Sequence, residues 1–255
     1  MNDEFGSDEV SPDADDSSAR TARSLDLATL RAIDIFRDLP IAVLHELAAI
    51  GEIRIVREQE ILCRQGERAD RLHVLIEGQI ALSNTAPNGT SAVVEVVRPG
   101  GHFVLATVLA KLPYLLNAQA VTPSRVVVLP APALLALVQR APDLAAALMR
   151  AEAQDFRALV RQVCDLKLRT TAQRLGCYLL SLSREPAGNT AHFRLPFDKR
   201  LLAARLGCRQ ENLSRAFAAL RSFGVETHGA RVVLHDISRL RDYAEPDDLE
   251  DGELA

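Results

Sequence analysis

The sequence predicts an α+β chain in three parts: a small antiparallel β-barrel or jelly roll, one long helix, and a compact helical domain closed by a β-hairpin. Three observations predict it. Between Ile53 and Leu129 short β-type runs recur, separated by Gly, Pro and Asn turn signals. After Pro142 apolar residues recur at heptad spacing. Near the end, two short helical patterns meet at Gly207, and a Gly-punctuated strand pair follows.

Taken in order, residues 1–24 read as a disordered acidic tail, since residues 1–16 carry seven acids and no base. Residues 25–141 read as the barrel domain. It opens with a helical pattern from about Leu25 to Ala48 that runs through Leu39-Pro40, and after Gly51 the period changes to two. The expected strands are Ile53–Val56, Ile61–Arg64, Leu72–Ile76, Gln79–Ser83, Ala92–Val97, Phe103–Val108 and Ala118–Leu129. Residues 142–168 read as one helix, with Pro142 at a favourable first-turn position. Within it Ala145, Met149, Glu152, Phe156, Leu159, Val163 and Leu166 form a seam with one polar interruption, Glu152. Such a stripe often packs on its own domain. Lying between a barrel and a basic domain, it is read here as a parallel dimerisation helix with Met149, Phe156, Leu159 and Val163 at the seam. Residues 169–243 read as helices at Ala172–Leu182, Lys199–Leu206 and Gln210–Phe223, a β-like His192–Leu195, and a wing at Val225–Thr227 and Val232–Leu234. Residues 244–255, with six acids and no base, read as a second disordered tail.

The formal net charge of −4 conceals a partition. Without the 13 acids of the two tails, 21 acids face 30 Lys and Arg, and residues 167–243 alone carry 14 bases against six acids. A basic segment behind acidic tails suits a polyanion partner, although a solvated basic surface would look the same. No apolar run approaches the ~18 residues of a membrane span, and the start lacks a signal-peptide layout, so a cytoplasmic protein without membrane contact is expected. Cys63, Cys164, Cys177 and Cys208 are scattered without a CxxC pair, which argues against zinc, iron–sulfur and disulfide frameworks. No metal site is expected. Nor does a catalytic constellation appear, and the chain is not expected to be an enzyme.

The segment Leu201–Gly207 followed by Glu211–Phe217 has the layout of a DNA-reading helix-turn-helix. Ala203 is small where the helices cross, Gly207 makes the turn, and Leu206, Leu213, Phe217 and Leu220 supply buried contact. Gln210, Glu211, Ser214 and Arg215 would then project from the first turns of the second helix toward base edges. Arg can pair bidentately with guanine, and Glu can accept from the cytosine amino group. Lys199, Arg200 and Arg209 flank that face as phosphate contacts, setting affinity and register rather than sequence. The bland alternative is a helical hairpin with an exposed polar face, in an enzyme or scaffold whose basic domain is incidental. Cys208, in the turn, reads as a small packing residue.

Over residues 28–243 the chain resembles Crp/Fnr-type regulators. The motif Leu72–Ile80 is similar to the family's strand-turn-strand before the effector pocket, and Glu211-x-x-Ser214-Arg215 has the spacing of its Fnr-like branch. Tyr114–Ala118, Lys167–Thr170 and Glu211–Phe217 further resemble the FtrB-type activators of iron transport. The resemblance implies a cyclic-nucleotide-binding-like double-stranded β-helix (jelly roll), a homodimer, and a winged helix-turn-helix on double-stranded DNA with a TTGAT-like half-site in an inverted repeat. It also implies an activator that works with RNA polymerase.

The departures bear on the effector. Cyclic-nucleotide binders of the family carry Gly-Glu after the Pro-Gly turn and Arg-Ser/Thr-Ala about ten residues later, whereas this chain has Val104-Leu105 and Leu116-Asn117-Ala118. No acid lies between Glu95 and Asp143, and Lys111 is the only Lys or Arg between Arg98 and Arg125. A site so lined leaves a buried phosphate uncompensated. cAMP is therefore rejected unless part of the site comes from elsewhere. Phe103, Val104, Leu105, Leu115, Leu116 and Asn117 would form an apolar pocket, suited to a hydrophobic molecule or haem. In the haem alternative, a sensor of nitric oxide or carbon monoxide, His102 or His73 would be the axial ligand, although either has a surface or hydrogen-bonded role by default. The iron–sulfur ligand set of the Fnr branch is absent, because residues 1–62 contain no Cys.

Overall fold

The structure is a computed structural model describing residues 23–89, 91–183, 188–196 and 198–246. The acidic residues 1–16 and 247–255 lie outside the described residues, as therefore do most of both expected tails. Their inner edges are ordered. Arg23–Ser24 (β1) pairs with the strand Glu52–Val56, and Ala244 is buried at the end of the last helix, so both expected tails were drawn too long.

After β1 come α1 (Leu27–Arg31), α2 (Ile41–Ile50), β2 (Glu52–Val56), β3 (Ile61–Cys63), β4 (Arg71–Glu77), β5 (Ile80–Thr85), β6 (Ser91–Val97) and β7 (His102–Phe103). Next are α3 (Leu105–Ala110), β8 (Asn117–Ala120), β9 (Ser124–Pro130), α4 (Ala131–Arg140) and α5 (Pro142–Leu168). The sheets have the orders β1-β2-β9-β4-β7 and β3-β8-β5-β6, the two walls of a jelly roll. In β4 Leu72, His73, Val74 and Leu75 are all buried, because the barrel core and covering helices take opposite faces. Gly78 makes the turn into β5 at φ +95°, and a Cβ there would meet the Pro123 carbonyl oxygen at 2.7 Å.

Three sequence readings are corrected. The helical pattern from Leu25 to Ala48 divides into α1, a series of turns and α2, with Pro40 at φ −54°, ψ 144° as the non-helical residue from which α2 starts. The expected strand Phe103–Val108 stops at Phe103. Val104 adopts φ +63°, which turns the chain into α3. The expected run Ala118–Leu129 breaks around Pro123 into β8 and β9, which belong to different sheets.

α5 spans 27 residues, about 40 Å at 1.5 Å per residue. Its first three turns bury Leu144, Ala147, Leu148 and Ala151 on the barrel. Off that buried face Met149 (70 % exposed), Phe156 (67 %), Leu159, Val163 and Leu166 remain exposed.

The remaining elements are α6 (Thr171–Leu182), β10 (Ala191–Arg194), α7 (Lys199–Arg205), α8 (Gln210–Leu220), a 3-10 turn (Arg221–Phe223), β11 (Val225–His228), β12 (Arg231–Leu234) and α9 (Ile237–Ala244). Thr170 and Gln173 form a capping box at the start of α6. α6 packs on α8 and α9, and β10-β12-β11 make the wing sheet. This second core also takes in the barrel. Val96 of β6 is buried among its residues, and Gln79 Nε2 donates to the Pro196 carbonyl at 2.7 Å.

Candidate nucleic-acid interface and effector cavity

The helix-turn-helix is assembled by local hydrogen bonds. Asp198 caps α7 by accepting from Leu201 N–H at 2.8 Å. The turn is held by Gly207 N–H to Ala204 carbonyl at 3.0 Å and Cys208 N–H to Ala203 carbonyl at 2.9 Å. Gly207 sits at φ +62°, and a Cβ there would lie 2.6 Å from the Leu166 side chain, so the turn presses against the end of α5. Arg174 ties the same junction, donating from Nε to the Leu206 carbonyl and from Nη1 to the Arg169 carbonyl.

α8 is amphipathic, with Leu213, Ala216, Phe217 and Leu220 buried. Gln210, Glu211, Ser214 and Arg215 share the opposite, exposed face, and Arg209 precedes them, also exposed. Lys199 and Arg200 are exposed at the start of α7, with Lys199 Nζ 5.9 Å from the Phe217 ring centroid. All seven sequence-predicted residues are thus exposed, four of them on the α8 turns nearest the helix N-terminus. The wing adds a feature the sequence reading missed. The Glu226 carboxylate pairs with His228 Nε2 and His235 Nε2, each at 2.8 Å, and these bonds hold it below the usual carboxylate range.

A cavity of about 1140 Å³ opens between the barrel, α5 and the helical domain. Phe103, Val104, Leu105 and Leu116 line it as the sequence places them. Leu115 and Asn117 are not on its wall. The Leu115 side chain is 71 % exposed, and Asn117 is engaged at the barrel surface by Gln65 N–H at 3.0 Å. The expectation of an apolar pocket holds for the barrel wall only, because α5 forms the far wall and brings Glu152, Asp155 and Arg161 along with Phe156 and Leu159. Arg169, Arg174 and Arg205 line the end toward the helical domain. His102 Nε2 lies 3.0 Å from Asp155 Oδ2. Burial, then Asp155, push the Glu152 carboxyl above its ordinary value, with His102 opposing. Glu152 Oε1 is sealed from solvent and has no hydrogen-bond partner among the described residues. The one sequence signal for this residue was its break in the apolar seam.

The two histidines separate. His102 lines the cavity, whereas His73 is buried behind it, stacked on Phe103 with ring centroids 5.1 Å apart. Burial pushes His73 down to about 3, and neither ring nitrogen has a partner among the described residues.

The family model for the cyclic nucleotide-binding domain matches residues 53–141, and that for the Crp-like helix-turn-helix domain matches residues 173–243. A solved structure from Ruegeria pomeroyi DSS-3, named as a candidate cyclic nucleotide binding protein, is 35 % identical. It covers 87 % of this chain and 97 % of its own, with a TM-score of 0.59. The chain belongs to the Crp/Fnr family of transcription regulators. Among curated Crp/Fnr relatives, the CRP-like cAMP-activated global transcriptional regulator of Mycobacterium tuberculosis H37Rv is 23 % identical over 180 residues, 69 % of this chain and 80 % of the relative. The nitrogen fixation regulation protein FixK of Azorhizobium caulinodans is 24 % identical over 201 residues, 76 % of this chain and 80 % of its own. The α+β fold of barrel, long helix and helix-turn-helix is the Crp/Fnr architecture, and no described helix is long and apolar enough to cross a membrane.

Proposed function

We propose that this Crp/Fnr regulator works as a homodimer that reads an inverted-repeat duplex with α8 and responds to an effector other than a cyclic nucleotide. The observation that carries the reading is α8 itself: one face is locked into the core, and the other presents Glu211 and Arg215 to solvent. Arg215 supplies a bidentate pair for guanine and Glu211 an acceptor for cytosine, while Lys199, Arg200 and Arg209 take phosphates.

The second copy is called for by α5. Its exposed apolar residues are left partly in solvent in one protomer, and a parallel partner helix buries them. Pairing brings two α8 helices onto one duplex, where successive major-groove faces lie about 34 Å apart. The effector cavity touches both the barrel and α5, so a ligand that binds one helix arrangement better shifts the population toward it. Against cAMP stand the apolar Val104, Leu105 and Leu116 on the barrel wall and the carboxylates Glu152 and Asp155 that α5 adds beside them. Activation through RNA polymerase rests on the family resemblance.

Selection of binding sequences from a random duplex pool tests the reading. A recovered inverted repeat with half-site centres one helical turn apart supports it. Recovery of no preferred sequence rejects it, as does unaltered regulation by Arg215→Ala in cells. A Soret band in the purified protein that His102→Ala abolishes would assign the cavity to haem instead.

A further inference from the structure

The end of the cavity nearest the barrel carries charge of one sign. Glu95 on β6 and Glu152 and Asp155 on α5 line it, with His102 the one basic side chain among them. Arg161, the first arginine of α5 on the wall, follows Asp155 by six residues, about 9 Å along the helix axis. An anionic head placed against Phe103 and Leu105 would meet carboxylates first.

Two polar groups stand at that end, one without a partner and one already paired. Glu152 Oε1 is closed to solvent and accepts no hydrogen bond from the described residues. His102 is mostly buried, and its pairing with Asp155 joins β7 to α5 across the cavity. An unsatisfied buried acceptor at a cavity wall is costly, and a donor from a ligand removes that cost.

Resting on the effector reading above, we propose that the cavity takes a molecule with an apolar, ring-sized body and a protonated amine or similar hydrogen-bond-donating head. The body lies on Phe103, Leu105 and Leu116, and the head donates to Glu152 Oε1 beside the His102–Asp155 pair. Because that pair spans barrel and helix, a cation at this point competes with His102 for Asp155. Occupancy is thereby read as a change in how β7 holds α5.

The test uses the full-length protein and a matched set of probes: 2-naphthylmethylammonium, 2-naphthylmethanol and 2-naphthoate, with cAMP as a fourth. Isothermal titration calorimetry is expected to rank ammonium above alcohol above carboxylate. Ammonium should bind about tenfold tighter than alcohol, the scale of one charge-assisted hydrogen bond. Glu152→Gln, which keeps the shape of the side chain, is expected to bring ammonium down to the affinity of the alcohol. The proposal is overturned if carboxylate or cAMP binds as tightly as ammonium, if ammonium shows no saturable binding at millimolar concentration, or if the preference survives in Glu152→Gln. The same preparations are assayed for sequence-specific DNA binding. Specific DNA binding with the wrong probe order sinks only the ligand class, whereas its absence sinks the regulatory reading as well.

Discussion

Phe156→Ala removes the largest exposed side chain on the α5 seam and tests whether that seam is a dimer interface. An aromatic side chain buries about 150–250 Å² when fully covered. Phe156 is 67 % exposed in the single protomer, so pairing takes roughly 100–170 Å² of it from water, at about 25 cal/mol per Å². That is about 2.5–4 kcal/mol per side chain, and symmetry counts it twice. The alanine methyl retains a fraction, and α5 keeps Met149, Leu159 and Val163. A loss of about 4 kcal/mol, near 1,000-fold in dimer Kd, is therefore expected. Sedimentation velocity across a concentration series reads the Kd directly, and circular dichroism confirms that the monomer retains its helix. Specific DNA binding should weaken in step at concentrations below the new Kd. Dimerisation within tenfold of the parent would refute the reasoning, and α5 would have to bury its seam another way.

Further outcomes follow from individual residues. His73, pushed by burial from 6.5 to about 3, resists protonation in the folded state while the unfolded chain accepts the proton. Its contribution is therefore complete above the unfolded value and lost as pH falls, by about 2 kcal/mol at pH 5. His73→Leu should flatten that part of the acid-denaturation slope, and an unchanged slope would contradict the assignment. Glu152 shifts the other way, so the folded state holds its proton more tightly and stability falls as pH rises past 4.5. Glu152→Gln should raise the melting temperature at pH 7, with the gain vanishing near pH 4; a lower melting temperature at pH 7 would count against it. Val104 holds a left-handed backbone at φ +63°, a conformation costing a side-chain-bearing residue about 1–2 kcal/mol. Val104→Gly should unfold at higher denaturant than Val104→Ala by about 1 kcal/mol, the reverse of the usual order for these residues. The usual order would show that the strain is not there.

What the sequence disclosed and what it hid have a common cause. Periodicity reports on a segment and its own covering surface, so α5 and the two helices around Gly207 were legible from their apolar spacing. The strand-to-helix change at Val104 was not, because a valine in a left-handed backbone breaks the local preference that the reading relied on. α4 and α9 were not delimited either. α4 continues directly from β9, and α9 packs on α6, more than fifty residues away in the chain. The cavity was misread for a related reason. Its polar wall belongs to α5, remote in sequence from the barrel strands that supply the apolar wall, and Glu152 registered only as a flaw in a heptad. The resemblance to cyclic-nucleotide binders left the chemistry of the pocket open, since Val104-Leu105 and Asn117 depart where the family would hold a phosphate and ribose.

The central claim is that α8 reads base edges, and Arg215 offers the most direct measurement. Fluorescence anisotropy with the selected inverted repeat, with single-base variants of each half-site and with unrelated duplex gives affinity for sequence and for backbone separately. Arg215→Ala should weaken the selected site by about 1–3 kcal/mol per half-site and abolish discrimination at one base pair. Its binding to unrelated duplex, and the salt dependence of that binding, should stay near the parent's. A uniform loss on every duplex, or full retention of discrimination, would contradict the placement of Arg215 in the groove.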